Sequence, residues 1–340
     1  MKALVLNGGF GLDHLALEER PEPVPGAGEV LVRVRAASLN FRDLMLVKGQ
    51  YNPKLAMPRV MGSDAAGEVV AAGAGVTRFK PGDRVANTFM PLWEEGAITG
   101  AAAGATYGSE RDGVFAELVA VHERALVAVP PHLSYEEAAT LPCAAVTAWN
   151  ALTAAGTGPG TTVLLQGTGG VSIFALQLAT ALGARALITS SSDDKLARAA
   201  RLGAAAGVNY RTDPDWDKWA RQQTGGAGAD VVIEVGGAGT LDRSIRAVKT
   251  GGHVAVIGVL TGGGTVNPVP VLMKAVRLQG VFVGSRAMFE EMNRVITERQ
   301  IRPVVDRTFP FADAVAALRH MEGGSHFGKV VLSMTAPGHG

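Results

Sequence analysis

Residues 161–172 read Thr161-Thr162-Val163-Leu164-Leu165-Gln166-Gly167-Thr168-Gly169-Gly170-Val171-Ser172. An apolar run of strand length, 161–166, gives way to glycines, and then to an apolar stretch rich in small residues, 171–182, that reads as a buried helix. Glycine allows the tight turn and lets backbone N–H groups approach an anion. A helix that starts there directs its positive end at the same point. Alone the pattern is common, and its surroundings decide its meaning. Further strands are predicted at 185–189, 207–210, 230–235, 253–257 and 278–283, with helices at 195–202, 215–223, 241–248 and 271–277. Short buried strands alternating with helices specify an α/β fold with a doubly wound parallel sheet, whose crossovers are right-handed.

Such a sheet takes its ligand outside the carboxyl ends of its strands, and the glycine run marks that ligand as a dinucleotide. The expected contacts are Gly167, Thr168, Gly169, Gly170 and Val171, followed by the later strand ends at Ser190, Ser191, Tyr210, Gly236, Gly258 and Val283. Ser172 closes the run as a small residue that lets the helix pack closely. About 20 residues past the glycines, an NAD site carries an acidic residue for the ribose 2′-hydroxyl. Here the slot reads Thr189-Ser190-Ser191-Ser192. Hydroxyls do not repel a 2′-phosphate, and Lys195 stands one turn into the next helix. Asp193 and Asp194 read as first-turn residues behind a serine N-cap. The expected cofactor is therefore NADP(H) in preference to NAD(H). Tyr210 fits an adenine stack, a hydrogen bond to the 2′-phosphate, or a strand-end aromatic in the core.

Working outward, the first third of the chain is β-rich, with alternating segments at 30–34, 68–72 and 116–121 and turns between them. Residues 87–113 read as an irregular insertion forming a surface lobe or lid. The tail carries helices at 289–299 and 312–321 and a strand at 329–333, and is expected to return to the first domain. The resulting division is 1–124, 125–285 and 286–340.

Net charge is +1 with no basic face, so nucleic acid is not an expected partner. A single cysteine, Cys143, cannot form an internal disulfide, which suits a reducing cytoplasm. The start, Met1 to Phe10, is broken by Asn7, Gly8 and Gly9 and is neither a secretory signal nor a membrane span. A soluble cytoplasmic protein acting on a small molecule, away from membranes, is expected.

Beyond the glycine run, five segments stand out: Ala37-Ser38-Leu39-Asn40-Phe41-Arg42-Asp43, residues 58–67 (PRVMGSDAAG), 79–85 (FKPGDRV), 141–152 (LPCAAVTAWNAL) and 326–330 (HFGKV). With these the whole chain resembles the medium-chain dehydrogenase/reductase family, and most of all its zinc-independent branch of quinone oxidoreductases and zinc-free NAD(P)-dependent alcohol dehydrogenases. The resemblance implies a β-rich GroES-like catalytic domain joined to a Rossmann domain. Zinc members of the family hold a catalytic metal with a Cys, the His of a Gly-His-Glu triplet and a later Cys. Here those positions are Asn40, the Ser63 of Gly62-Ser63-Asp64, and Cys143. Catalytic zinc needs three N or S ligands and a water, so no zinc is expected. The lobe also lacks the four cysteines of a structural zinc site.

Without a metal, hydrogen-bond donors must stabilise the oxygen that gains charge, and a proton must arrive. The resemblance puts Tyr51 at the position of a tyrosine donor and Thr147 beside the nicotinamide. Asn40 occupies the lost ligand position and offers an amide. Tyr51 also reads as a loop aromatic, and Asn40 as a turn residue. Lys329 matches a basic residue that approaches the cofactor phosphate, or else is a solvated surface lysine. Three activities stay open: hydride transfer between nicotinamide and a quinone or an alcohol/carbonyl substrate, enoyl C=C reduction, and NADPH binding without catalysis. The branch also implies a homodimer, with the sixth strands extending one sheet.

Overall fold

The computed structural model of the protein describes residues 1–334. The chain forms two compact units, one from Thr147–Val283 and the other from Met1–Val146 with the segment from Gly284 onward.

The central unit holds a six-stranded sheet, parallel throughout. In chain order its strands are Thr162–Leu165, Arg185–Ser190, Ala206–Asn209, Ala229–Glu234, Val248–Val256 and Arg277–Gly280. Their spatial order is third, second, first, fourth, fifth, sixth. Val163, Leu164, Leu165, Leu187, Ile188, Val232 and Ile233 are fully buried, as expected of strands covered on both faces. The strand order reverses at the first strand, which pairs with the second on one side and the fourth on the other. That reversal opens a crevice at its carboxyl end, where the glycine run sits. The predicted alternation is present throughout. Its one substantial shortening is at the end, where the last helix spans only Val269–Met273 and the sixth strand stops at Gly280. Ala275, at φ 49°, breaks that helix before the strand.

The other unit is built on a seven-stranded sheet. Along it run Val305–Pro310, Lys329–Ser333, Glu29–Ser38, Ala65–Ala72, Arg84–Asn87 and Leu126–Ala128, with Leu118–His122 also on Glu29–Ser38. The tail strand Lys329–Ser333 is antiparallel to Glu29–Ser38, with Val331 opposite Ser38. A three-stranded sheet of Leu15–Glu19, Lys2–Leu6 and Arg59–Val60 completes it.

Two details depart from the sequence reading. The units divide at 146/147 and 283/284 rather than at 124/125 and 285/286. The reason is that Leu126–Ala128 pairs with Arg84–Asn87, and the Cys143 N–H reaches Asp64 Oδ2 at 3.1 Å, which keeps 125–146 with the first unit. Residues 87–113 are only partly a surface lobe. Phe89, Met90, Trp93, Ala105, Thr106 and Tyr107 are buried, and the exposed part is centred on 95–101.

Leu332, in the tail strand, is fully buried in the main core of this unit. Leu332→Ala should destabilise the protein by about 3 kcal/mol, since large-to-small core changes leave a cavity. Denaturant titration checks this, and an unchanged midpoint would show that the tail strand contributes no packing.

Candidate functional site

In the central unit the chain turns at Gly167, with φ +70°, and open space stands where a Cβ on Gly167 or Gly169 would point. The helix Gly170–Ala181 begins with Gly169 as N-cap and has no side-chain cap. Its first-turn N–H groups therefore need an outside acceptor. The next helix, Asp193–Arg201, is different: its Ser192 Oγ accepts the Lys195 N–H at 3.4 Å. An uncapped helix end behind an open glycine turn is a cradle for an anion, and it fits a pyrophosphate. Thr168 is buried, Val171 lies in the first turn, and Ser172 Oγ donates to the Gln166 carbonyl at 2.6 Å, closing helix onto strand.

At the end of the second strand Ser190 is buried and accepts the Ser192 N–H at 3.4 Å, and Ser191 is half-exposed. Asp193 and Asp194 sit in the first helical turn, and Asp193 accepts a bond from Asn209 Nδ2 at 3.0 Å. Lys195 lies on the same turn. Tyr210 is exposed, not a core aromatic, and its N–H donates to the Ser190 carbonyl at 2.9 Å.

The fourth and fifth strand ends carry a feature that sequence reasoning missed. Glu234 is fully buried. Its Oε1 accepts the N–H groups of Gly236 (2.7 Å) and Gly237 (2.9 Å) and the Thr240 hydroxyl (2.6 Å). Its Oε2 accepts Gln166 Nε2 (2.7 Å) and the Ser244 hydroxyl. The Gly236 N–H is thus already used within the protein. A Cβ at Gly236 would meet Thr240 Oγ1 at 2.2 Å, and one at Gly258 would meet the Val235 carbonyl at 2.3 Å. Both glycines have a packing reason besides any ligand. Val283 has φ 57°, unusual for a β-branched residue, and its carbonyl accepts Asn150 Nδ2 at 2.7 Å. Thr147 is buried, at the second position of the helix Val146–Ala154.

In the other unit Asn40 is the N-cap of the helix Phe41–Val47. Its N–H donates to Asp43 Oδ2 at 2.8 Å, and its amide Nδ2 donates to Ser63 Oγ at 3.3 Å. Ser63 Oγ donates to Asp64 Oδ1 at 2.7 Å. Lys329 corrects the sequence reading. It is buried, neither a solvated surface lysine nor a free cation for a phosphate, and its ammonium donates to the Leu39 carbonyl and to Asn40 Oδ1, each at 2.6 Å. Tyr51 is exposed, and its ring lies over the guanidinium of Arg42 at 5.0 Å. Arg42, not singled out from sequence, is buried, donates to the Tyr107 carbonyl (2.9 Å) and to Thr106 Oγ1 (2.6 Å), and also stacks on Phe89 at 4.9 Å. Burial pushes the Asp43 carboxyl up to about 6 against the pull of Arg42. Burial likewise raises Asp64, against the pull of Lys329, and raises the Cys143 thiol.

Residues 26–131 match the alcohol dehydrogenase GroES-like domain, and residues 170–298 match the zinc-binding dehydrogenase model. A zinc-type alcohol dehydrogenase-like protein of Schizosaccharomyces pombe is 43% identical over 95% of this chain and 96% of its own. The chain belongs to the medium-chain dehydrogenase/reductase family. It is an oxidoreductase of that family, with the GroES-like and Rossmann parts seen above. An acryloyl-coenzyme A reductase of Metallosphaera sedula is 30% identical over 98% of this chain and 100% of its own. The solved structure of an NAD-dependent alcohol dehydrogenase superposes with a TM-score of 0.90 at 37% identity, covering 98% of this chain and 100% of that one. No helix among the described residues is long and apolar enough to cross a membrane.

The family's catalytic zinc does not fit these residues. An amide and a hydroxyl replace two ligands, an ammonium rests 2.6 Å from Asn40 Oδ1, and no group of three or more His, Cys, Asp or Glu among the described residues is placed to hold a metal.

Asp43 also sets a pH signature. Its folded value of about 6 lies above its ordinary 3.8, so the unfolded chain releases this proton first and stability falls as pH rises through that window. Asp43→Asn removes the effect. Its stability relative to wild type should improve by about 1 kcal/mol between pH 5 and pH 7, from the linkage relation. Denaturant titrations at the two pH values check this, and a difference independent of pH refutes it.

Proposed function

We propose that the protein is a zinc-independent, NADP(H)-dependent oxidoreductase that moves hydride between nicotinamide and a quinone or an alcohol/carbonyl substrate. The observation that carries this reading is the Lys329 ammonium against Asn40 Oδ1, at the place where the family's zinc members bind their metal. A cation is already resident there, and it belongs to the chain.

The bound dinucleotide supplies the hydride. The uncapped helix at Gly170 receives its pyrophosphate, and the turn at Gly167 and Gly169 leaves room for it. Ser190, Ser191, Lys195 and Tyr210 form the 2′-phosphate end. Preference for NADP(H) rests on this chain's own strand end, which carries serines in place of a carboxylate and engages Asp193 with Asn209. Tyr51, held over Arg42 and exposed, delivers the proton to the substrate oxygen. Thr147 orients the nicotinamide.

The 30% identity to an acryloyl-coenzyme A reductase favours a second reading, in which the hydride goes to an activated C=C bond. The deciding measurement follows NADPH oxidation, with NADH in parallel, against an ortho-quinone, an aromatic aldehyde and an enone, with and without chelator. Chelator-resistant turnover with the quinone or aldehyde, and a lower KM for NADPH than for NADH, is expected. Turnover with the enone alone establishes the second reading, and NADPH binding without any turnover removes both. Tyr51→Phe should lower kcat about 100-fold and leave NADPH affinity unchanged. Unaltered kcat removes Tyr51 from the mechanism.

A homodimer is proposed through the sixth strand, Arg277–Gly280, which among the described residues has a partner strand on one side only. Leu278 within it and Leu272, Met273 and Phe282 beside it are exposed. Light scattering should give twice the chain mass.

A further inference from the structure

A lysine ammonium only donates hydrogen bonds, and this fixes every direction in the cluster around Asn40. The Asn40 atom facing Lys329 Nζ at 2.6 Å must be the carbonyl oxygen. The amide NH₂ then faces Ser63 Oγ at 3.3 Å. Ser63, having accepted from Asn40, gives its proton to Asp64 Oδ1 at 2.7 Å, and the Cys143 N–H takes Asp64 Oδ2 at 3.1 Å. A one-way chain therefore runs from a buried ammonium to a buried carboxyl group: Lys329, Asn40, Ser63, Asp64. All four side chains are at least nine-tenths buried. The ammonium and the carboxyl group are bridged by two neutral dipoles, and no direct ion pair joins them within 4 Å among the described residues. The amide oxygen is held by Lys329 and one amide N–H by Ser63. Lys329 has given two of its three N–H groups, to Leu39 and Asn40.

We infer that Lys329 is a positioning residue that replaces the metal of the zinc members. It fixes the Asn40 amide and supplies the standing positive charge that favours negative charge on a substrate oxygen during hydride transfer. This rests on the zinc-independent reading above. A purely structural lysine would matter only for folding. A charge that acts on the reacting oxygen must show in kcat more than in KM.

Lys329→Met alone leaves Asp64 without its counter-charge and is expected to fold poorly. The informative variant is Lys329→Gln combined with Asp64→Asn, which removes both ionisable groups and keeps polar groups at both positions. Wild type, this double variant and Asp64→Asn alone are compared by thermal melting, NADPH titration and steady-state kinetics with the acceptor that wild type reduces best. The double variant should melt within a few degrees of wild type, bind NADPH within twofold, and keep KM within threefold while kcat falls at least 30-fold. Asp64→Asn, which keeps the cation, should lose less than tenfold. Wild-type kcat in the double variant overturns the inference and leaves the zinc-independent reading standing. So does an equal loss in Asp64→Asn alone, which would place the effect at the carboxyl group. Turnover of wild type that chelator abolishes overturns the zinc-independent reading itself, and the inference with it.

Discussion

A carboxylate removed from water must be given hydrogen bonds or a counter-charge, because its desolvation costs several kcal/mol. Both units of this protein are arranged around that constraint. In the central unit Glu234 has lost all contact with solvent and is satisfied by two backbone N–H groups, two hydroxyls and an amide. Those donors come from the ends of the first and fourth strands and from the helix Ala238–Ala247, so one side chain ties together the elements beside the sheet's reversal point. In the other unit Asp64 is held by Ser63 and the Cys143 backbone, with Lys329 supplying the compensating charge.

The two solutions differ in a way that matters chemically. Glu234 is satisfied by neutral donors, so its charge is spread over a framework that holds loops in place. The Asp64 cluster instead places an ammonium and a carboxyl group at the two ends of a directed chain of hydrogen bonds. The first arrangement makes a rigid platform beside the glycine turn.

The alternating strands and helices were legible in the sequence because each buried strand is a short continuous apolar run between turn residues. The glycine run was legible for the same reason, with Ser192 recognisable as a cap. What escaped was everything that depends on distant partners. Lys329 read as a surface or phosphate-facing lysine because nothing local to His326-Phe327-Gly328 reveals that its strand lies beside Leu39 and Asn40. Glu234 ends a strand and looks unremarkable until the donors of Gln166 and Ser244 converge on it. Arg42 hides in a helix, and its two aromatic neighbours, Tyr51 and Phe89, come from separate segments. The unit boundary was missed because Leu126–Ala128 is a short strand whose partner lies some 40 residues earlier.

Lys329 meets residues 289 and 290 positions earlier in the chain. During synthesis the amino-terminal strands leave the ribosome long before the segment that completes their sheet. Residues 147–283 carry a full sheet of their own and are free to fold in the interval. Asp64 and Asn40 can meet Ser63, Asp43 and Cys143 earlier, but must wait for the last strand to bring Lys329. The complete polar cluster is consequently a late product of folding, and a nascent chain cut short before residue 329 carries the glycine cradle without the cation.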